Sequence, residues 1–269
     1  METLLVILSS IAFFAFLLPH AYRKYCAILG WTSIIAVLFL QVPYYLSENN
    51  FLYPSLALLS VPFLAITARL LLRENAAVFQ LSRAAAVAFL IYALFAFFGP
   101  LGDALIDLVI GQLMWVLELI GYPAMLVSER MIASNGFRVE IILACTGIQS
   151  MAIMLGVAAA VPTTLRQKVL ALLIIVPVIY LLNLARNVFV ILAYTGQWFP
   201  YLPEFASNGE YGFESFFWAH NVICELLALV ALIAIAYGLF LIIPRLGSFA
   251  DDLLCLYRDE LRRVAGRGR

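Results

Sequence analysis

Charge is scarce in this chain. Asp, Glu, Lys and Arg make up 12% of its 269 residues, where a soluble domain carries about 25%, and that excludes an ordinary water-soluble fold. The formal net charge of +0 offers nothing for a nucleic-acid backbone to attract. Histidine is rarer still: His20 and His220 are too few for a histidine-rich metal site. P-loop, GxGxxG and HExxH patterns are absent, so no metal or nucleotide cofactor is expected. The four cysteines, Cys26, Cys145, Cys224 and Cys255, form no CxxC pair, and a disulfide framework is not expected. The N-terminal run 4–19 has neither a basic n-region nor an A-x-A-like site, and it reads as an uncleaved span.

What is present is apolar sequence, 65% of the chain. A helix crosses a bilayer core with about 20 apolar residues, and backbone groups in lipid must pair within the segment. On that basis spans are expected near 4–19, 25–46, 55–72, 84–99, 141–161, 169–194 and 219–243. The basic residues then set orientation. With the N-terminus outside, Arg23, Lys24, Arg69, Arg73, Arg83, Arg166, Lys168, Arg245, Arg258, Arg262, Arg263, Arg267 and Arg269 all face the cytoplasm, 13 of the 16 basic residues. Segment 103–127 is apolar but carries Asp103, Asp107 and Glu118. Counting it as a crossing would turn the arginine-rich tail outward, so it reads as an amphipathic or re-entrant helix at the outer surface, followed by a loop through Gly136. Residues 195–217, with Gly196, Pro200, Pro203, Gly209 and Gly212, read as an outer loop.

The expected fold class is all-α, a polytopic transmembrane helix bundle of about seven spans plus that surface helix. It is a single domain, with a four-span part over 1–99, a catalytic part over 100–243 and a cytoplasmic basic tail over 244–269.

This topology brings three distant residues to one depth. Cys145 lies early in a span entered from outside, Arg186 lies late in a span leaving towards the outside, and His220 opens another from outside. A nearby cation raises the thiolate fraction of a cysteine. Arg186 supplies that charge, or stabilises the oxyanion formed when Cys145 attacks a carbonyl. An arginine inside a span costs at least about 2.5 kcal/mol, so a functional role is its default reading; snorkelling to the headgroups is the alternative. His220 can act as general base or acid. Asn183 and Asn187 flank Arg186, and Asn221 flanks His220, as orienting hydrogen-bond groups. Gln149 shares the helical face of Cys145, while Thr146 and Gly147 leave room for close backbone approach. Glu225 is either a partner of Arg186 or a structural carboxylate. Cys26 and Cys224 read as small core residues.

Ala144-Cys145-Thr146-Gly147-Ile148-Gln149-Ser150, then Asn183-Leu184-Ala185-Arg186-Asn187, then a histidine opening a helix, together resemble the exosortase/archaeosortase family, its archaeosortase branch in particular. The resemblance runs best from about Glu140 to Glu225. It implies a membrane-embedded cysteine transpeptidase, with Cys145 as nucleophile, Arg186 as an essential arginine and His220 at the third position, where members carry histidine or arginine. The archaeosortase branch is expected to favour arginine there, and His220 departs from it. It further implies secreted surface proteins, such as S-layer glycoproteins, as substrates. These end in a recognition motif (Pro-Gly-Phe in that branch), a hydrophobic helix and a basic cluster. Cys145 would form a thioester, release the tail and pass the acyl group to an amine of a membrane lipid, at the outer face of the cell membrane. The competing readings are a secondary transporter, an intramembrane protease that uses water, and a membrane assembly scaffold in which Arg186 is structural. The absence of an inverted repeat weighs against the transporter.

Overall fold

The computed structural model describes residues 2–47 and 50–266; Arg267 and Arg269 of the basic tail lie outside them. The helices are α1 (Glu2–Leu17), α2 (Arg23–Ser47), α3 (Leu52–Leu72), α4 (Ala76–Phe97), α5 (Gly99–Leu119), α6 (Ile148–Ala159), α7 (Leu165–Thr195), α8 (Pro203–Ala206), α9 (Phe213–Phe216), α10 (Glu225–Ile242) and α11 (Pro244–Gly266). A π-helical segment, Phe217–Cys224, joins α9 to α10 in one run. Among the described residues six helices are long and apolar enough to cross a membrane: α2, α3, α4, α5, α7 and the run Phe213–Ile242. The protein is a multi-pass helical membrane protein.

The chain divides into two compact units. The first comprises the residues up to Ile91, Ala152–Ala171 and those from Tyr237 on. Its core gathers Phe13, Phe16, Ala27, Ile66, Leu70, Leu71, Val78 and Ala86. The indole N–H of Trp31 donates to Ser82 Oγ at 3.0 Å, so an interior polar pair is satisfied. A Cβ on Gly156 would run into the Ala84 carbonyl and Ala88, which is why α6 carries glycine there. The tail is helix α11, held to α3 by ring stacking of Tyr257 on Phe63 at 5.5 Å and by buried Glu260. That carboxylate takes Arg73 at 3.1 Å and Arg263 at 2.7 Å, with Arg69 at 3.8 Å.

The second unit, Tyr92–Met151 with Leu172–Ala236, carries the residues singled out above. Helix α5 turns Ile106, Val109, Ile110, Leu113 and Leu117 inward against Ile132, Val139, Ile141 and Ile191. Asp103, Asp107 and Glu118 stay exposed on its other side. Next comes a feature an all-helical reading omits: an antiparallel meander of β1 (Met125–Ser128), β2 (Met131–Ser134) and β3 (Phe137–Glu140). The β2–β3 turn is Asn135-Gly136, both at positive φ (52° and 83°), as a two-residue hairpin with the right-handed strand twist requires. Arg130 at the β1–β2 turn pairs with Asp103 at 2.5 Å, Ser134 donates to the Pro123 carbonyl at 2.7 Å, and Asn135 donates to that of Thr195 at 3.2 Å.

Three expectations are corrected in their bounds. The helix expected over 103–127 covers Gly99–Leu119, and residues from Met125 on form a strand rather than helix or loop. The span expected over 141–161 is a helix of only 12 residues, Ile148–Ala159, because positive-φ Gly147 separates it from a 3-10 turn at Leu143–Thr146. His220 does not open its helix; it sits well inside the run that begins at Phe213.

Candidate active site

Cys145 lies on the 3-10 turn Leu143–Thr146, ahead of α6 and outside the membrane-length helices. The turn is closed by Cys145 N–H on the Ile142 carbonyl at 2.8 Å and ends at Gly147, φ 78°. A side chain on Gly147 would be strained there and would press on Asn183 at 3.1 Å. Thr146 is fully buried. Its hydroxyl donates to the Leu143 carbonyl at 2.7 Å and accepts from Ile148 N–H at 3.3 Å, so it shapes the turn and the start of α6.

The turn is tied to α7 at one atom. The side-chain amides of Asn183 and Asn187, one helical turn apart, both donate to the main-chain carbonyl oxygen of Cys145, at 2.5 and 2.6 Å. Residues four apart share a helix face, so the two donors converge on that oxygen while Arg186 lies between them in sequence. These asparagines hold the main chain of Cys145 in place.

Arg186 donates to Nε2 of His220 at 3.0 Å. A guanidinium only donates, so Nε2 is bare and the ring is neutral. Nδ1 then carries the proton and donates to Asn221 Oδ1 at 2.7 Å. Phe216 stacks on the imidazole at 4.8 Å between centroids, 12° from parallel, and Tyr194 meets Phe216 edge-on at 5.5 Å. The π-helical turn sets this geometry; such insertions are frequent at functional sites.

Burial pushes the Cys145 thiol above its usual pKa; a backbone hydrogen bond at Ile142 and the Arg186 cation pull it back down. The thiol is therefore mostly protonated at rest, and a further gain in positive field or a proton acceptor is needed to make it a nucleophile.

A cavity of about 280 Å³ opens beside this cluster, with Gly147, Asn183, Arg186 and Cys224 at one end and Ile179 and Ile235 at the other. Cys224, read from sequence as a core residue, is buried and also lines this cavity with Arg186. Its spacing gave no warning, because the π turn changes which residues share a face. Gln149 is exposed and donates to the Tyr92 hydroxyl at 3.4 Å. Glu225 is the half-buried first residue of α10.

Fold and site together define a multi-pass membrane protein with a thiol on a clamped turn and a guanidinium–imidazole pair beside it. The family model described as transmembrane exosortase matches residues 2–207, and the chain belongs to that family. Cys145 and Arg186 fall within the match, and His220 lies beyond it. The chain is 30% identical over 253 residues to archaeosortase A of Haloferax volcanii, covering 84% of this chain and 83% of that one. It is 37% identical over 123 residues to archaeosortase A of Natronomonas pharaonis, covering 44% of this chain and 39% of the other. No solved structure matches it.

Proposed function

We propose that this protein is a membrane-embedded cysteine transpeptidase acting on the C-terminal sorting signals of secreted surface proteins. The observation that carries the reading is the clamp: the carbonyl of Cys145 is held by Asn183 and Asn187, on either side of Arg186. That arrangement fixes a thiol-bearing turn relative to a cation, as covalent catalysis at a carbonyl requires. The relatives' name, archaeosortase A, supports sorting-signal processing, with a Pro-Gly-Phe-type motif, a hydrophobic helix and a basic cluster as the signal.

In this account the Cys145 thiolate attacks the scissile carbonyl, a C–S bond forms, and Arg186 stabilises the oxyanion. Collapse breaks the C–N bond, and the leaving amine takes up the proton that the Cys145 thiol gave up as the tail departs. The amine of a lipid headgroup then attacks the thioester: a C–N bond forms, the C–S bond breaks, and the amine's proton leaves as the thiol is restored. His220 holds Arg186 through Nε2 and is itself oriented by Asn221, so it acts on the chemistry through the arginine. The site faces outward, with the N-terminus outside and α11 in the cytoplasm. Support for that orientation comes from the basic residues at the start of α7, Arg166 and Lys168, and in α11.

The test is reconstitution with a substrate bearing the three-part tail. Tail release with a product heavier by one lipid supports the reading. Release of a free carboxylic acid alone points to a protease, and solute uptake without cleavage points to a transporter.

A further inference from the structure

The cavity beside Arg186 has a shape that the chemistry above does not use. Its walls are the α7 face from Ile179 to Phe189 and the helical run from Cys224 to Ile235. At 1.5 Å per residue these are about 15 and 16 Å long. Its polar groups (Asn183, Arg186, Ser150 and the Cys224 thiol) gather at one end. The rest is apolar, with Ala228 and Ala231 along the α10 side and buried Ile179 and Ile235 at the far end. Leu182 and Leu227, which also line it, are exposed, as side chains that face membrane hydrocarbon are.

A substrate's hydrophobic helix, about 10 Å across, would lie along the open side of this half-open groove of about 280 Å³ rather than inside it. An extended peptide would leave its N–H and C=O groups unpaired along the aliphatic walls. A hydrocarbon chain has no such groups. Its polar head would reach Arg186, which spends one N–H on His220 and has further donors for an anionic oxygen.

We propose that this groove holds one hydrocarbon chain of a membrane phospholipid, with the lipid phosphate at Arg186. The inference rests on the reading above in one respect: the same lipid, held there, presents its headgroup amine to the thioester on Cys145. Bound in advance, the acceptor amine is on hand when the acyl group forms, which favours it over water by proximity.

The test uses Cys145→Ala protein, in which no acyl transfer occurs, in micelles holding equal amounts of phosphatidylethanolamine and of diacylglycerol with the same chains. Native mass spectrometry should find one phospholipid retained per chain, preferred about tenfold over diacylglycerol. Adding Arg186→Ala should erase the preference. Adding Ala228→Phe, which fills the groove, should abolish retention of both lipids, while Leu229→Phe, on the exposed face of α10, should not. Melting curves show which variants fold; if Ala228→Phe does not, Ala231→Leu takes its place. Retention unchanged in a folded groove variant, equal retention of the two lipids, or no retained lipid would each overturn the inference. A missing thioester in wild-type protein would instead remove the transpeptidase reading and leave the lipid site standing.

Discussion

Asn187 donates its side-chain amide to the main-chain oxygen of Cys145 at 2.6 Å. It is buried, so its position is dictated by packing within the unit. Asn183 makes the same bond one turn earlier. A displacement of about 1 Å at a reacting group can cost ~100-fold in rate. The double variant Asn183→Ala/Asn187→Ala should therefore lose about 100-fold in kcat with KM changed only a few-fold, measured on tail release. Asn187→Asp is nearly isosteric but cannot donate when ionised. It should fall as far as Asn187→Ala, and full activity in Asn187→Asp would show that the clamp does not position the thiol.

The Cys145 thiol titrates above its usual range, with burial as the largest cause, and the Arg186 cation opposes the shift. The sign follows directly: thiolate is the minor species at neutral pH and grows through the alkaline range. Alkylation of Cys145 by iodoacetamide, followed by peptide mass mapping, should accelerate with pH up to that raised midpoint. Arg186→Met removes the cation and should move the midpoint higher still. A midpoint that stays put, or falls, in Arg186→Met would mean the guanidinium does not act on the thiol.

Glu260 is buried while three arginines reach it from α3, the residue after α3, and α11. Those arginines are largely exposed, so each pair is screened and individually small. Removing the shared acceptor is different, because hydrogen bonds to a charged group are worth about 1.5–3 kcal/mol. Glu260→Ala should lower thermal stability in detergent by an amount in that range and expose α11 to limited proteolysis. Unchanged melting and proteolysis would show that α11 is held by Tyr257 and its apolar contacts alone.

The helical bundle was readable because a chain in lipid must satisfy its backbone within each segment, and long apolar runs leave one way to do so. The meander is also written in the sequence. Asn135-Gly136 between Met131–Ser134 and Phe137–Glu140 is a strong two-residue hairpin signal. Apolar composition masks that signal, because in a membrane protein it suits a helix or an irregular loop equally well. Arg186 and His220, both expected at one depth of the bundle, meet at 3.0 Å although they are 34 residues apart. The details did not follow. A π turn shifts the register of Cys224 and His220 relative to an α-helix, and no pattern of residue types announced it. Asn183 and Asn187 invited a role towards substrate, whereas their amides meet the Cys145 carbonyl, a backbone atom that sequence patterns do not display.

The central claim is that Cys145 carries the acyl group, and intact mass spectrometry tests it most directly. Wild-type protein, Cys145→Ala and Arg186→Ala would each be mixed in lipid with a peptide bearing the three-part tail and quenched in acid. An adduct of the acyl fragment's mass is expected on wild type, mapping to Cys145 and cleaved by hydroxylamine, with none on Cys145→Ala and a slowed appearance on Arg186→Ala. Tail release that proceeds undiminished in Cys145→Ala would contradict the claim.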